Sequence, residues 1–337
     1  MSEQAAPAER QASAIPDDDI VLPFRVPTAG VMGRVVRLGG VVDTILTRHD
    51  YPEPVSRLLG EALALAALLG ASMKPDSRLT LQTKGDGPVP FLVVNYEKPG
   101  RVSGKDDGGQ MRGYASVTAE RWAAFAKDRE RIDEGDLLGH GLLAMTIDPG
   151  SGQPSYQGIV ALDGKTLSEV ALEYFQKSEQ LPSLLRLVVA RHFTAGIDGS
   201  PGTWTWRAGG LLVQHVAGEQ AAVRSLGDED EGRIAGGLDE DWSRIRTLAE
   251  TVEDHELLDP TLSAERLLYR LFHEEGVTVT PAQGLSGYCR CSQERVAAMM
   301  RSFDPSDIAE MREPDGAITV TCEFCNTKYR LEPGEQV

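Results

Sequence analysis

All four cysteines of this 337-residue chain fall in its last 49 residues, as Cys289-Arg290-Cys291 and, 30 residues further on, Cys322-Glu323-Phe324-Cys325. Two close pairs of soft sulfur ligands joined by a loop can meet the corners of one tetrahedral zinc, whose bond of about 2.3 Å suits thiolate. A tetrathiolate site for one Zn2+ per chain is therefore the first chemistry these residues suggest. The C-x-C pair is narrower than the C-x2-C usual in structural sites, and it also permits a strained disulfide. On the cysteines alone two readings stay open, a purely structural zinc and a zinc whose thiolates double as a redox switch.

Little else in the chain carries site chemistry. His49, His140, His192, His215, His255 and His273 are scattered, none at ligand spacing from a cysteine, and read as ordinary polar or core residues. Tyr174-Phe175 and Ser178-Glu179-Gln180 come with no evident base, nucleophile and oxyanion donor, so the chain reads as no enzyme and these residues as structural. Gly33 with Gly39-Gly40 makes no G-x-G-x-x-G and no Walker string occurs, so no nucleotide is expected. A formal charge of −17 argues against a nucleic-acid partner bound through its phosphates. The most apolar run, Ala62 to Met73, is far short of the roughly 20 residues that cross a bilayer, and no basic-then-apolar leader is visible, so a cytoplasmic protein without a membrane partner is expected. In that reducing compartment, cysteines serve metals or redox sensing more often than structural disulfides.

The elements that must position the cysteines read as α+β: a mixed α/β core domain, a helical linker and a small C-terminal zinc-binding domain. Residues 1–19, rich in Ala and acid, read as a disordered tail. Residues 20–227 read as the core, with strands expected at Arg34–Leu38, Leu79–Thr83, Phe91–Tyr96, Leu142–Ile147, Tyr156–Leu162, Leu184–Arg191 and Gly210–His215. Pro54 opens a long helix ending near Met73, and a second helix runs from about Thr166 to Ser178. Gly85-Asp86-Gly87-Pro88 and Lys105-Asp106-Asp107-Gly108-Gly109 read as turns.

Residues 228–284 read as an acidic linker: eleven acidic residues stand against three basic ones between Asp228 and Glu256. Trp242, Ile245, Leu248, Ala249 and Val252 nevertheless recur at helical spacing, and Leu267, Leu268, Leu271 and Phe272 follow in a second amphipathic segment. That apolar stripe needs a cover. Either it completes the core of the first domain or it serves as a switching surface.

Residues 285–337 form the expected zinc domain. Ser292 is placed to cap a helix carrying Val296, Met299, Met300 and Phe303; Asp304-Pro305 restarts a short helix through Met311; Ile318–Thr321 delivers Cys322; and the knuckle leads into Lys328–Leu331. With so few large apolar side chains this segment cannot build a self-sufficient core, and metal should hold it together. Met299, Met300 and Met311 read as core more readily than as a soft binding patch. Arg290, Arg295, Lys328 and Arg330 are candidates to offset the −2 charge of a zinc tetrathiolate.

This cysteine pattern after an acidic linker and an α+β domain resembles the 33 kDa chaperonin family, heat shock protein 33, of redox-regulated chaperones. The resemblance runs from about Ile20 to Leu331. It is carried by Tyr51-Pro52-Glu53-Pro54-Val55, Leu58-Leu59-Gly60-Glu61, Leu79-Thr80-Leu81-Gln82, Arg112-Gly113-Tyr114-Ala115, Tyr156-Gln157-Gly158-Ile159-Val160, Tyr174 to Gln180 and Leu271-Phe272-His273-Glu274-Glu275. Two features depart from the family pattern: Val337 follows soon after the knuckle strand, and Gly218 to Asp241 is long and rich in Gly and acid.

The resemblance implies an ATP-independent holdase, inactive while reduced and zinc-bound, that becomes a homodimer binding unfolded or partly folded clients once oxidised. It implies zinc on Cys289, Cys291, Cys322 and Cys325, and disulfides Cys289–Cys291 and Cys322–Cys325 after oxidation. Loss of zinc should unfold the tail, and an expected consequence is exposure of Trp242, Ile245, Leu248, Leu267, Leu268, Leu271 and Phe272 as the client-binding or switch surface. From other classes, a constitutive zinc-binding interaction module and a thiol oxidoreductase working through Cys322 and Cys325 are the alternatives.

Overall fold

The computed structural model describes residues 18–100, 108–127, 129–150, 152–196, 200–216 and 231–332, with the backbone alone for 231–239. Eleven strands make one sheet. In chain order they are β1 (Ile20–Val26), β2 (Val31–Leu38), β3 (Arg78–Gly85), β4 (Phe91–Glu97), β5 (Gly109–Ser116), β6 (Gly141–Asp148), β7 (Tyr156–Ala161), β8 (Ser183–Thr194), β9 (Thr203–His215), β10 (Thr278–Val279) and β11 (Gln283–Gly287). They pair in the order β7-β6-β3-β4-β5-β11-β1-β2-β9-β8, with β10 beside β1. Every pairing is antiparallel except β11 on β5.

Helices α1 (Gly40–Thr47) and α2 (Glu53–Gly70) follow β2. Pro54 occupies the first turn of α2, where a missing N–H costs nothing. Burial on nearly every side explains the continuous apolar run: thirteen of its eighteen residues are buried, and strands from both halves of the sheet touch it. Close approach needs small residues. A Cβ on Gly60 would stand 2.9 Å from Val189 of β8, and one on Gly70 would stand 2.2 Å from the Tyr96 ring of β4.

Further helices are α3 (Ala119–Ala126), α4 (Glu134–Leu138) and α5 (Leu167–Tyr174), the last opened by a Thr166–Glu169 capping box and continued by a π-turn through Glu179. The linker folds as α6 (Glu231–Glu250), α7 (Asp254–Leu258) and α8 (Ala264–Phe272). Alternation along a strand sends successive side chains to opposite faces. Val36, Leu38 and Leu212 face α2, whereas Val31, Val35, Leu211 and Val213 form the opposite face with Ile20, Leu22, Phe24 and Val26.

On that second face lies the apolar stripe of the linker. Ile245, Leu267, Leu268, Leu271 and Phe272 are buried there, and Trp242 and Leu248 pack at its edge. Phe272 stacks on Phe24 at 5.6 Å between ring centroids. The cover of the stripe is thus the core sheet; among the described residues no side chain of the cysteine-bearing segment joins that cluster. The clasp is also polar. Buried Arg37 of β2 donates to the carbonyls of Asp259 and Leu262, and Arg207 of β9 donates to Leu258 O at 2.7 Å while pairing with Asp18.

The described residues bear on two of the expected boundaries. Asp18 and Asp19, grouped with the tail, are anchored, Asp19 accepting from the Gly39 and Val41 amides at 2.9 and 3.1 Å. Residues 1–17, 217–230 and most of the 105–109 turn lie outside the described residues. The boundary at 284/285 falls inside β11, because Leu285–Gly287 pair with Gly109–Met111 of β5 and knit the segment before Cys289 into the sheet.

Candidate metal centre

The cysteine lobe consists of α9 (Gln293–Met300), α10 (Pro305–Glu310) and the hairpin β12 (Ile318–Thr321) with β13 (Lys328–Leu331). Ser292 caps α9, its hydroxyl accepting from the Arg295 amide at 3.3 Å. Among the described residues Val296, Met300, Ile308, Ile318 and Leu331 form its buried apolar cluster, with Ala297, Val320 and Tyr329 packed against it, too small to hold about 45 residues unaided. Of the three methionines read as core, Met300 is buried, whereas Met299 and Met311 are exposed.

The hairpin makes the knuckle. The Cys322 amide donates to Thr327 O at 2.9 Å and the Asn326 amide to Cys322 O at 2.8 Å, with Asn326 at φ 55°, a left-handed conformation Asn tolerates. This brings Cys322 and Cys325 opposite Cys289 and Cys291. All four Sγ atoms lie within 4.8 Å of one another. The Cys289–Cys322 and Cys291–Cys325 sulfurs are 3.7 and 3.2 Å apart, and all four thiols are free. Tetrahedral bonds of about 2.3 Å require sulfurs about 3.8 Å apart, so the quartet fits a zinc-sized cation.

Electrostatics point the same way. Burial, joined by the neighbouring sulfurs, pushes Cys291 up to about 12 despite its bond from Tyr329, and burial also raises Cys322. For Cys325 burial raises the value too, but Thr327 and the adjoining sulfurs outweigh it and bring the thiol down to about 6. Four crowded sulfurs cannot all ionise unaided; a divalent cation supplies the charge that lets them. Tyr329 Oη donates to Cys291 Sγ at 3.0 Å, and Thr327 Oγ1 lies 3.2 Å from Cys325 Sγ. Three of the four cations proposed to offset the site, the arginines, are engaged elsewhere. Arg290 pairs with Glu97 of β4, Arg330 with Glu313, Asp315 and Glu332, and Arg295 Nη1 bonds Arg290 O at 2.7 Å.

The lobe docks on the body through the knuckle. The Phe324 ring lies 4.1 Å from Arg112 Cζ and 6.5 Å from the Tyr114 ring, both on β5, while Asn326 Nδ2 donates to Arg48 O at 2.9 Å. A cavity of about 300 Å3 at this junction is lined by His49, Tyr51, Tyr114, Cys322 and Glu323. Sequence reading missed Tyr329 and Thr327 as partners of the cysteines, and Arg112 and Tyr114 as partners of Phe324. Phe324 and Tyr329 carried a weak signal, being large rings flanking ligands in a domain with little core. The pairing of β5 with the lobe left none.

An α+β body bearing a four-thiol lobe on its sheet is a protein class in which a metal-sized knot is tied to a larger fold. The Hsp33 protein profile matches residues 19–332, and the chain belongs to that family of chaperones. It is 44% identical over 316 residues to the 33 kDa chaperonin of Caulobacter vibrioides, covering 94% of this chain and 95% of that one. Against the 33 kDa chaperonin of Escherichia coli it is 33% identical over 315 residues, covering 94% and 92%. The crystal structure of the 33 kDa chaperonin of Thermotoga maritima shares the fold, with a TM-score of 0.65 at 21% identity over 94% of this chain and 96% of that one. Among the described residues no helix is long and apolar enough to cross a membrane.

Proposed function

We propose that this chaperone is a redox-regulated, ATP-independent holdase, acting in the cytoplasm on unfolded or partly folded proteins, with Zn2+ on Cys289, Cys291, Cys322 and Cys325 in its resting state. The observation that carries this reading is the quartet of free sulfurs at metal-ligand spacing in a lobe with almost no core. When bound, zinc supplies the charge that keeps four thiolates together. Residues 20–227 then act as the body, 228–284 as the switch and 285–337 as the sensor. One equivalent of peroxide oxidises Cys322 and Cys325 to a disulfide and a second oxidises Cys289 and Cys291, each peroxide taking two electrons from the sulfurs and two protons from solvent to give two waters, with Zn2+ released.

The route from lobe to stripe runs through β11 and β10 rather than through direct contact. Tyr288 donates to Met111 O at 2.9 Å, β11 joins β5 to β1, β10 adds to β1, and α8 precedes them. Loss of the lobe frays this thread and loosens α8. Each large side chain of the stripe buried on the sheet contributes about 1.5–3 kcal/mol, so a second stress such as heat is needed to free all of them. The freed surface, on both linker and sheet, binds clients by apolar burial and supports a homodimer.

Reduced, zinc-loaded protein treated with peroxide with and without mild heat tests the reading. Zinc release is followed with a chromogenic chelator and chaperoning by suppression of client aggregation. Zinc retained under peroxide, or equal protection before and after, returns the chain to a constitutive zinc-binding interaction module.

A further inference from the structure

A pocket of about 200 Å3 opens at the C-terminal end of α2, far in the sequence from the cysteines and outside the stripe. Its walls include Leu69, Met73, Met145, Ile147 and Phe175, and one cation, Arg34 of β2, stands among them. Arg34 is on the α2 face of the sheet, where burial alone pulls its guanidinium below the ordinary arginine value, with no carboxylate or carbonyl acting against that pull. Among the described residues the Arg34 guanidinium makes no hydrogen bond or ion pair, its backbone being held in the ladder between β1 and β9. A partly buried guanidinium ordinarily holds an anion or several carbonyls, because an unpaired charge is costly to desolvate.

The polar groups around it are engaged. Leu69 O accepts from Ser72 Oγ at 2.9 Å, Gly70 O from the Met73 amide at 2.9 Å, and Ala71 O from Lys98 Nζ at 3.0 Å. The negative end of the α2 dipole is therefore met by Lys98 rather than by Arg34. Tyr174 Oη, 3.2 Å from Tyr156 Oη, donates to Glu179 Oε1 at 2.9 Å, and Gln214 Nε2 donates to Ser183 Oγ at 3.3 Å. Glu179 is exposed whereas Arg34 is part-buried, so of the two charges lining the pocket the carboxylate is the one nearer solvent.

We propose that this pocket binds a small amphipathic monocarboxylate, its carboxylate on Arg34 and its hydrocarbon body against Leu69, Met73, Met145, Ile147 and Phe175. Carboxylate oxygens match the planar fork of a guanidinium, and a desolvated pair of this kind is stronger than one in open water. The cavity is smaller than the about 300–1,000 Å3 of drug-sized sites, which suits a short aliphatic or aromatic acid and excludes a folded peptide. One part-buried cation and one carboxylate nearer solvent select a single negative charge, since a second would meet Glu179.

The test uses the full-length, reduced, zinc-loaded chain titrated with octanoate and, in parallel, with octanamide, which has the same body without the charge. Calorimetry is expected to show saturable one-to-one binding of octanoate, with octanamide weaker by at least about tenfold and Arg34→Gln lowering octanoate affinity by a similar factor. In methyl-labelled protein the Met73 and Met145 signals should shift on titration. No saturation, equal affinity for the amide, or shifts that spare Met73 and Met145 would each overturn the proposal. The amide comparison and the methyl shifts are read on the unsubstituted chain, so they stand even if Arg34→Gln fails to fold.

Discussion

Phe324 lies under the guanidinium of Arg112, 4.1 Å from ring centroid to Cζ, so the residue between two cysteines of the knuckle is also the one that docks the lobe on β5. A cation over an aromatic face is worth about 0.5–2 kcal/mol, more where water is displaced. Phe324→Ala should raise the undocked population of the lobe by roughly fivefold for each 1 kcal/mol lost. The expected signature is faster hydrogen exchange in 288–331 with unchanged protection in β3, β4 and β6. Unchanged exchange in the lobe would mean that the Arg290–Glu97 pair and Asn326 suffice to hold it.

Removing the metal should unfold the lobe and leave the sheet standing. Five buried side chains make its apolar cluster, whereas structural zinc in small domains contributes roughly 10–16 kcal/mol of apparent binding free energy. After chelation under reducing conditions, backbone NMR signals from 290–331 should collapse to unfolded shifts while those of α2 and β9 keep their dispersion. A lobe that stays dispersed without metal would show that its fold does not depend on the ion.

Tyr329 donates to Cys291 Sγ at 3.0 Å, a bond that favours the thiolate. Losing such a partner of a metal ligand typically costs 10–100-fold in affinity. Tyr329→Phe keeps the ring packing and removes only the hydroxyl, so a drop of about tenfold in zinc affinity is expected in competition with a chelator. Equal affinity would reduce Tyr329 to a packing residue.

Much of this arrangement was legible because local rules agreed with the tertiary outcome. The apolar run in α2, the Ser292 cap, the strand that carries Cys322 and the quartet itself follow from period, capping chemistry and ligand spacing. What escaped were pairings made across long stretches of chain. β5 reads Gly-Gln-Met-Arg-Gly-Tyr-Ala-Ser, with Gly113 where α2 comes close and Gly109 against the Tyr96 ring, so its strand pattern is diluted by the packing that makes it necessary. β10, two residues long, and β11, which carries Gly284 and Gly287, are strands only because β1 and β5 offer them edges. For the same reason the cover of the linker stripe could not be assigned: an amphipathic helix shows that a partner exists without showing which one.

Glu61 of α2 is half-buried against Glu134 of α4, and desolvation first, then the neighbouring carboxyl, lifts Glu61 well above the carboxylate range. Burial likewise raises Glu134, which accepts from the Leu167 amide at 2.8 Å. A carboxyl whose folded value is raised binds more protons folded than unfolded. Its contribution is therefore fully present below about pH 4.5 and is lost as pH rises toward the folded value. Glu61→Gln supplies a permanent donor in place of the shared proton. The variant should match the parent near pH 5 and exceed its stability by about 1 kcal/mol or more at pH 8, as read from urea midpoints. A parallel fall of both chains with pH would remove this pair as the cause.

Arg37 offers the most direct test of how the linker is held. It is 1% exposed, and its two terminal nitrogens donate to Asp259 O and Leu262 O, fastening the turn between α7 and α8 onto β2. Replacing a buried ion by an apolar residue can be neutral when its partners disappear with it, but here the partners are backbone carbonyls that stay behind. Arg37→Met keeps the length of the side chain and removes the donor from both carbonyls, leaving Asp259 O only the Leu262 amide at 3.3 Å, at a cost of about 1.5–3 kcal/mol for each charge-assisted bond. The stripe held beneath that turn, from Leu267 to Phe272, should then open more often without any change at the cysteines. Expected outcomes are faster exchange in 254–272, retained zinc, and suppression of client aggregation in the reduced state at temperatures where the parent chain is inactive. If exchange rises as expected and the reduced variant still protects no client, the stripe is a structural clasp, and the client surface lies elsewhere on the molecule.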